Sequence, residues 1–362
     1  MTSATICIDA RMIQASGIGT YLQGLLGALS KMDTGDCSLS LLGDPALLPS
    51  GAWTREALTA PIYSLCEQWR VPLAFRRQNA ALLHSPHYNM PWLLASRTIV
   101  TVHDMIHLKF PEFWPSRFAR AYAHFFFHRV IPNARAVLTV SENTKRDLME
   151  VLSIPENRIT VTYPAVDHVR FSANPPTDER EFDRLGLPRD YLLYVGNLKE
   201  FKNVPRLVEA YRQVRARRPD CPELVLAGRN FIPGFDREIR RTPGIRWIGD
   251  LRRDTLPALY RHALFFIFPS LYEGFGLPPL EAMASGTPVL CSNRASLPEV
   301  VGQAALMIDP DTTEELAAAM ERLIQDSALR KELSIKGTAR AALFSWDRMA
   351  RQTLEVYKRC LA

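Results

Sequence analysis

Short apolar runs alternate with longer segments of helical periodicity along the whole chain. Apolar strands that alternate with helices predict parallel β-sheets covered on both faces, and two sets of strands predict two Rossmann-like domains in an α/β fold. The first set is expected near Thr5–Ile8, Ser38–Leu42, Pro61–Leu65, Ala81–His84, Thr98–His103, Ala136–Val140 and Ile159–Tyr163. The second set is expected near Tyr191–Val195, Glu223–Ala227, Ile245–Ile248, Leu264–Phe268, Pro288–Cys291 and Ala305–Ile308.

Three longer segments carry the period of an amphipathic helix. Val204–Arg217 falls between strands of the second set, and Thr313–Gln325 follows the last of these strands. The third predicts a closing helix at Trp346–Cys360, with Ser345 as its N-cap.

A linker-like segment separates the two sets of strands. Residues Ser172–Arg180 read SANPPTDER and combine two prolines with small polar and charged residues. We therefore predict a first domain of residues 1–170 plus 346–362 and a second domain of residues 171–345.

The composition of the 362 residues is that of a globular protein, with 47% hydrophobic and 23% charged side chains. No apolar run approaches the ~18–20 residues that a membrane-spanning helix needs. The N-terminal stretch MTSATICIDAR lacks the basic region of a signal peptide and predicts a first strand instead. The expected location is therefore the cytoplasm.

The charge balance disfavours nucleic acid as a partner. The net charge of +6 comes from 44 Lys and Arg against 38 Asp and Glu, without a run of like charges. Small anionic ligands or an anionic membrane surface remain as partners. The six cysteines show no C-x-x-C spacing, so neither a zinc site nor a disulfide framework is expected.

The richest candidate site follows the predicted strand Leu264–Phe268, where the chain reads PSLYEGFGLPPLEAMASGTPVL. Gly274 and Gly276 permit close approach of the backbone to a ligand, and the prolines after them favour the start of a helix. Two carboxylates, Glu273 and Glu281, suit a polyhydroxylated ligand because each accepts hydrogen bonds from a vicinal diol. An anion is expected at the backbone amides between them. These amides belong to Phe275, Gly276 and Leu277.

The string EGFGLPPLEAMASGTPV resembles the donor-sugar site of retaining GT-B glycosyltransferases of family 4 (group 1), in their mannosyltransferase-like branch. Further strings are similar to that family and fall in its order: IDARMIQASGIGTYLQGLL, HSPHYNMPW, VHDMIHLKFPEFWP, VLTVSENTKRDL, YPAVD, LLYVGNLKEFKN, VLAGRN and FSWDRMARQTLEVYKR. The number and order of these strings carry the resemblance. It implies a GT-B fold, in which two Rossmann-like domains with parallel sheets face each other across a cleft. The first domain would receive the acceptor and the second would hold the donor.

The resemblance also implies catalytic roles for His103, Lys202 and Glu273. His103 would hydrogen-bond to the transferred sugar beside the reacting carbon, and Glu273 would position that sugar. Lys202 would face the diphosphate, whose negative charge grows as it leaves. Glu281 would hold the ribose, and Asp104 is expected to hold the loop that follows His103.

Asn197 is a further expected donor contact, and it stands where many relatives carry an arginine that helps the lysine. Either Lys199 or Arg229 compensates, or the grip on the phosphates is weaker. By resemblance, backbone atoms around Ile248 and Leu251 contact the nucleotide base.

The segment SGIGT at Ser16–Thr20 is predicted to form a tight loop after the first strand. It is not G-x-G-x-x-G, because Leu22 occupies the place of the third glycine, and it lacks the lysine of a P-loop. Binding of NAD therefore loses support. By resemblance, Gly17 and Gly19 approach the donor phosphates and the acceptor.

Two further segments suggest metal binding and membrane contact, but the residues around them favour a structural role. Asp309-Pro310-Asp311 spells a metal-binding D-x-D, yet it ends a strand, and Asp311 with Glu314 is predicted to cap the next helix. No metal is expected. Pro111–Ile131 mixes aromatic residues with Arg117, Arg120 and Arg129 and favours a buried helix with a basic rim. The alternative is a surface that rests on an anionic leaflet to reach a lipid-linked acceptor.

The expected function is transfer of a hexose, with mannose favoured, from a GDP- or UDP-linked sugar to a hydroxyl of a saccharide or lipid-linked saccharide acceptor. Retention of anomeric configuration and a role in polysaccharide or lipopolysaccharide assembly are implied by the resemblance. No cofactor is expected besides the nucleotide sugar. The alternatives are a GT-B sugar-nucleotide epimerase and a non-catalytic sugar-nucleotide-binding scaffold.

Overall fold

The computed structural model describes residues 4–111, 117–173 and 179–362, with residue 181 described by its backbone. The chain divides into two compact units. The N-terminal unit comprises Met1–Ala165 and Ser345–Ala362, and the C-terminal unit comprises Val166–Phe344.

The described part of the N-terminal unit contains a seven-stranded parallel sheet. Its strands are β1 (Ala4–Asp9), β2 (Cys37–Gly43), β3 (Trp53–Ala57), β4 (Leu82–Ser85), β5 (Thr98–Val102), β6 (Ala136–Thr139) and β7 (Ile159–Val161). They are arranged in the order β3-β2-β1-β4-β5-β6-β7. The order reverses between β1 and β4, so the loops after these two strands diverge and open a crevice at the carboxyl edge of the sheet.

One predicted strand of this sheet is wrong. The third strand is Trp53–Ala57, and Pro61–Leu65 forms turns, with Tyr63 at a φ of 63°. The observed strand lies at the edge of the sheet, where each of its residues is exposed or half-buried. An edge strand needs no apolar run, so its polar sequence WTREA resembles a loop. The other six strands are confirmed.

The described helices of this part of the chain are α1 (Ser16–Leu29), α2 (Glu67–Arg77), α3 (Ile106–Lys109), α4 (Arg117–Phe125) and α5 (Glu142–Leu152). A π-helical turn, Phe126–Val130, follows α4 directly.

The described part of the C-terminal unit contains a six-stranded parallel sheet. Its strands are β8 (Tyr191–Val195), β9 (Leu224–Ala227), β10 (Ile245–Gly249), β11 (Ala263–Phe268), β12 (Val289–Ser292) and β13 (Leu306–Ile308), as the apolar runs predict. Their order is β10-β9-β8-β11-β12-β13, which reverses between β8 and β11. Both of these central strands are almost wholly buried, because helices cover both faces of the sheet.

The described α-helices of the C-terminal unit are α6 (Arg180–Asp183), α7 (Val204–Arg217), α8 (Phe235–Arg241), α9 (Leu256–Arg261), α10 (Leu277–Ala284), α11 (Leu297–Val301), α12 (Thr313–Gln325) and α13 (Ser327–Ala341). The predicted bounds of α7 and α12 are confirmed. None of the described helices combines the length and the apolar character that crossing a bilayer requires.

The closing helix α14 (Trp346–Leu361) belongs to the N-terminal unit and begins where the sequence predicts. The Ser345 hydroxyl accepts a hydrogen bond from the N–H of Arg348 at 3.4 Å. Near the other end of α14, the Tyr357 hydroxyl lies 2.6 Å from Nδ1 of His84 in β4. Nε2 of His84 lies 2.8 Å from the Thr101 hydroxyl in β5, so a buried polar chain ties the helix to the sheet.

Candidate active site

The loops after β8 and β11 bring Lys202 and Glu273 together. Lys202 ends a short 3-10 turn, Glu200–Lys202, and Glu273 lies in the loop between β11 and α10. Nζ of Lys202 donates to Oε1 of Glu273 at 2.5 Å, and the two side chains are 18% and 12% exposed. The ammonium also lies 5.2 Å from the ring centre of Phe201 and 5.4 Å from that of Phe268. The pair sits where the strand order reverses, which is where open α/β sheets bind ligands.

Helix α10 begins after a residue that must be glycine. Gly276 has a φ of 111°, and a Cβ there would lie 2.8 Å from a leucine side chain of α11. Pro278 and Pro279 follow in the first turn and carry no N–H. In the described part of the chain, the N–H groups of Gly276 and Leu277 have no backbone acceptor. Both amides are therefore available to an anion.

Ser296 holds the loop that carries Glu273. Its hydroxyl lies 2.9 Å from the carbonyl oxygen of Glu273 and 2.8 Å from that of Phe275. Ser296, Gly274 and Phe275 are all buried. Packing and hydrogen bonds therefore position the loop without help from a ligand.

Glu281 lies inside α10 with its carboxylate buried. Its Oε2 accepts a hydrogen bond from the Tyr260 hydroxyl at 3.1 Å. Burial raises the pKa of Glu281 to about 7, although the Tyr260 hydrogen bond and the positive charges of Arg253 and Arg170 act in the opposite direction. Glu281 thus changes charge near neutral pH.

The two cations that were candidates to compensate for Asn197, Lys199 and Arg229, have other partners. Asn197 is half-buried, and its carbonyl accepts from the Tyr194 hydroxyl at 3.2 Å. Arg229 forms an ion pair of 3.0 Å with Asp250, and both side chains are well exposed. The Lys199 ammonium lies against two phenylalanine rings at 5.3 and 5.7 Å.

Ile248 and Leu251 lie at the carboxyl end of β10 and just after it, and both are half-buried. The carbonyl of Gly249, between them, accepts a hydrogen bond of 2.6 Å from Gly228 after β9. The two expected base contacts therefore stand at the same edge of the sheet as Lys202 and Glu273.

His103 directly follows β5 in the N-terminal unit. Its Nε2 donates to the carbonyl of Pro86 at 2.9 Å, and its ring meets Tyr21 edge-on at 4.9 Å between centres. Burial lowers the pKa of His103, so the ring is neutral and Nδ1 is left as an acceptor. The Asp104 carboxylate accepts from the N–H of Ile106 at 3.0 Å and so holds the following loop, as expected.

The predicted loop at Ser16–Thr20 is wrong, because α1 already begins at Ser16. Gly17 lies in the first turn with open space around it. A Cβ on Gly19 would come within 2.6 Å of the Ile13 carbonyl oxygen, so close packing of the preceding turn requires glycine there. The N-cap is Ala15, which has no side-chain acceptor for the first amides of the helix.

A buried charged network in the N-terminal unit was missed by the sequence prediction. Arg11 contacts both Asp9 and Glu67, and its side chain is only 4% exposed. The signal for it was Asp9-Ala10-Arg11 at the carboxyl end of β1, where charged side chains follow a buried strand.

The predicted capping of α12 by Asp311 and Glu314 is wrong. The N-cap of α12 is a threonine, and Glu315 reaches back over the first turn to accept from the N–H of Asp309 at 3.2 Å. Asp309 and Asp311 both pair with Arg294, at 2.9 and 3.3 Å. Among the residues that the structure describes, no three His, Cys, Asp or Glu side chains are grouped to hold a metal ion.

The aromatic segment Pro111–Ile131 is only partly buried, and its residues 112–116 lie outside the described residues. In α4, Phe118 is 88% and Phe125 43% exposed, so the predicted buried helix is wrong there. The π-helical turn after α4 buries its two phenylalanines. The segment therefore has exposed aromatic side chains in α4 and buried ones in the π-helical turn.

Both parts of the chain match known family profiles. Residues 15–170 match the profile described as Glycosyltransferase Family 4, and residues 189–326 match that of Glycosyl transferases group 1. The chain is 32% identical to O-antigen chain mannosyltransferase B of Escherichia coli, over 84% of this chain and 81% of that protein. It is 30% identical to the serotype-specific mannosyltransferase WbdA of Escherichia coli, over 76% of this chain. That second match spans 34% of WbdA.

Solved structures share the fold of the whole chain. Sucrose-phosphate synthase from Thermosynechococcus elongatus superposes with a TM-score of 0.80 at 21% identity, covering 99% of each chain. Anabaena HepE in complex with UDP-glucose superposes with a TM-score of 0.75 at 18% identity, covering 98% of this chain and 99% of that one. At these identities the likeness establishes the GT-B fold of two Rossmann-like domains. With the family matches and the mannosyltransferase relatives, it follows that this chain belongs to the group 1, family 4 glycosyltransferases and is an enzyme that transfers glycosyl groups.

Proposed function

We propose that the enzyme transfers a hexose, with mannose favoured, from a nucleoside-diphosphate sugar to a hydroxyl of a saccharide or lipid-linked saccharide acceptor. The observation that carries the donor class is the Lys202–Glu273 pair beside the amides of Gly276 and Leu277. A cation and helix amides suit a diphosphate, and a carboxylate suits sugar hydroxyls. The two E. coli mannosyltransferases support mannose and a role in O-antigen or other lipopolysaccharide assembly.

GDP is the favoured nucleotide of the donor, in keeping with mannose, and UDP is the alternative. HepE, which shares the fold, was solved with UDP-glucose. The base contacts would come from backbone near Ile248 and Leu251, and the Asn197 backbone would line the same edge. Glu281 would accept hydrogen bonds from the ribose diol.

Departure of the diphosphate is the step that these residues would assist. Lys202 and the amides of Gly276 and Leu277 would stabilise the charge that develops on the leaving phosphate. In the first turn of α1, the exposed Gly17 and the buried Gly19 carry no side chain that would block approach of the same phosphates. Glu273, once its lysine has turned to the phosphate, would be free to accept hydrogen bonds from the transferred sugar. His103 would hydrogen-bond to that sugar through its neutral ring.

Retention of configuration follows from the family resemblance and is proposed on that ground. The acceptor oxygen would form its bond to the anomeric carbon on the same face from which the diphosphate departs. The bond from that carbon to the diphosphate oxygen breaks, and this oxygen takes the proton of the acceptor hydroxyl. The reacting carbon passes through an oxocarbenium-like state.

A donor panel tests the proposal. Purified enzyme is screened by thermal shift against GDP, UDP, ADP and dTDP, and then incubated with the matching sugar nucleotides without acceptor. A ligand at 100 times its Kd adds ~2.7 kcal/mol to the free energy of unfolding, so the correct diphosphate should raise the melting temperature most. We expect GDP to stabilise the enzyme most and GDP-mannose to be slowly hydrolysed. Conversion of a nucleotide sugar into its epimer would support the epimerase alternative, and binding without hydrolysis would support the scaffold.

An anionic membrane is proposed as a second partner. Exposed apolar side chains lie on α2, α4 and the turn between β4 and β5, and together we call them the aromatic surface: Trp69, Leu73, Trp92, Leu93, Phe118 and Phe125. Trp92 contacts both α4 and α2. The centre of its ring lies 6.0 Å from that of Phe125, and its backbone N–H donates to the side-chain oxygen of Gln68 in α2 at 3.0 Å. Arg117, Arg120 and Arg129 are exposed on and next to α4. Aromatic side chains flanked by arginines suit the interface of an anionic leaflet.

A further inference from the structure

Glu67, the first residue of α2, is fully buried and is surrounded by hydrogen-bond donors. It accepts from Arg11 at 3.1 Å, from Nδ2 of Asn89 at 3.1 Å and from the Tyr122 hydroxyl at 3.1 Å. Arg11 also holds Asp9 with two nitrogens, at 2.9 and 2.6 Å. A buried network whose members are bonded in this way is rigid, so each side chain in it has one orientation.

The network determines which nitrogen of His87 carries the proton. Because Nδ2 of Asn89 donates to Glu67, the amide oxygen of Asn89 faces His87. That oxygen lies 2.8 Å from Nδ1 of His87 and only accepts, so Nδ1 carries the hydrogen and Nε2 presents a lone pair. Burial lowers the pKa of His87 to about 3, so the ring stays neutral at working pH.

The lone pair of His87 points at Tyr63, whose hydroxyl lies 3.4 Å from Nε2. Tyr63 is 48% exposed although its ring is surrounded by other rings. The ring centres of His87, Tyr88 and Tyr122 lie 5.6, 6.0 and 6.1 Å from that of Tyr63. Its φ of 63° is rare for a tyrosine and unfavourable, so the surrounding structure holds this ring at the surface against a local cost.

Tyr63 and His87, which together we call the platform, lie close to His103, a residue assigned to the reaction. His87 lies in the loop after β4, at the reversal of strand order in the N-terminal sheet. Pro86, its neighbour in the chain, accepts the hydrogen bond from His103 Nε2. His87 and the hydrogen bond that holds the His103 ring thus belong to one loop.

We propose that Tyr63 and His87 bind the terminal sugar ring of the acceptor, with Tyr63 stacking on its apolar face and one of the sugar hydroxyls replacing the Tyr63 hydroxyl as the hydrogen-bond donor to His87 Nε2. The proposal rests on the proposed function, since that function requires a hydroxyl-bearing saccharide. An exposed aromatic face beside a fixed acceptor matches a pyranose, which has an apolar face and a rim of hydroxyl donors. Glu67 and Asn89 are positioning residues, because they act through His87.

Transfer to simple glycosides tests the platform. Wild type and variants are given GDP-mannose, or the donor found by the panel, with the methyl α-glycosides of mannose, glucose and N-acetylglucosamine as probe acceptors. For the glycoside that the wild type uses, we expect KM to rise roughly tenfold in Tyr63→Ala and in His87→Ala. Tyr63→Phe keeps the ring and should stay within about threefold of wild type. Donor KM and donor hydrolysis should not change in any of them.

Tyr63→Gly separates binding from folding. Glycine adopts a positive φ without strain, so this variant should melt no lower than Tyr63→Ala, which also lacks the ring, while its acceptor KM rises as in Tyr63→Ala. Ile335→Ala, an exposed apolar residue of α13 in the other unit, is the matched control and should leave every parameter unchanged. An acceptor KM that stays at the wild-type value in Tyr63→Ala, Tyr63→Gly and His87→Ala would overturn the proposal.

Binding of the same glycosides, followed by ligand-observed NMR, distinguishes failure of the platform from failure of the proposed function. Binding to wild type that is lost in Tyr63→Ala supports the platform, even if no nucleotide sugar is hydrolysed and the proposed function fails. Donor hydrolysis with glycoside binding that is absent from wild type, or unchanged in Tyr63→Ala, overturns the platform alone.

Discussion

Nζ of Lys202 lies 2.5 Å from Oε1 of Glu273, so the two residues assigned to the diphosphate and to the sugar neutralise each other without a ligand. A diphosphate that enters this site must take the lysine away from the carboxylate. Glu273 thus keeps the cation desolvated and in place, and it also competes with the substrate for it.

Lys202→Ala should therefore weaken nucleoside diphosphate binding by more than the loss of one contact. It removes the cation and leaves the Glu273 carboxylate facing the phosphates, whereas Glu273→Ala should not weaken diphosphate binding. Each substitution should lower kcat about 10²–10³-fold, since each removes a preorganised contact to the reacting groups. Calorimetric titration with GDP and UDP separates the two variants.

The double variant sharpens that comparison. Lys202→Ala with Glu273→Ala should bind the diphosphate better than Lys202→Ala alone, because the uncompensated carboxylate is gone. Lys199→Ala is the matched control among the neighbouring cations and should weaken diphosphate binding less than Lys202→Ala does. Equal losses of affinity in Lys202→Ala and Glu273→Ala would show that the Glu273 loop is misassigned.

Donor binding should weaken as the pH falls below about 7, because burial raises the pKa of Glu281 to about 7. The ionised carboxylate accepts both hydrogen bonds of a ribose diol, and protonation replaces one acceptor by a donor. Dissociation constants of GDP and UDP measured from pH 5.5 to 8.5 test this. Glu281→Gln, which keeps the shape without the titration, should show only the pH dependence of the nucleotide itself. If the dissociation constants of wild type and variant depend on pH in the same way, Glu281 does not bind the ribose.

Acid should destabilise the N-terminal unit well above the pKa of ordinary carboxylates. Burial lowers the pKa of His84 from 6.5 to about 3, so the unfolded chain binds a proton at pH 5 that the folded chain does not. Stability from this residue is present above pH 6.5 and is lost as the pH falls toward 3, by at most ~1.4 kcal/mol for each pH unit. Melting temperatures at pH 7.5, 6.5, 5.5 and 5.0 report the slope. His84→Gln should melt lower at pH 7.5 but lose less on acidification, and an unchanged slope would contradict the prediction.

Binding to vesicles should require acidic lipid and should fade with salt, if the aromatic surface rests on an anionic leaflet. Replacing Arg117, Arg120 and Arg129 by Gln should abolish co-sedimentation and leave transfer to a soluble glycoside unchanged. A variant with Arg237, Arg241 and Lys331 replaced by Gln has the same net charge and exposed sites on the other unit, and it should still bind. Wild-type protein that ignores acidic vesicles would exclude this partner.

An α-linked donor should yield an α-linked product. The proposed same-face reaction predicts it, because the acceptor oxygen replaces the diphosphate on the face that the diphosphate leaves. Proton NMR of the anomeric coupling in the purified product decides the question. A β-linked product from an α-linked donor would contradict the proposed mechanism.

The buried strands and the family were readable from the sequence for a common reason. Central parallel strands are covered on both faces, so they appear as apolar runs, and β8 lies at its predicted residues. Lys202, Glu273 and Glu281 were predicted as site residues because they follow such strands within strings that resemble one family. The contact between Lys202 and Glu273 depends on the strand order, which reverses between β8 and β11.

Other features of this protein were decided only by the tertiary structure, because solvent exposure and long-range contacts override the local sequence pattern there. The edge strand Trp53–Ala57 lacks an apolar run because half its surroundings are solvent, and α4 carries aromatic residues that its sequence suggested were buried. The partners of Glu67 come from the turn after β1, the loop after β4 and α4, segments that lie far apart in the chain. No local spacing encodes such a network, because the carboxyl ends of parallel strands become neighbours only when the sheet forms.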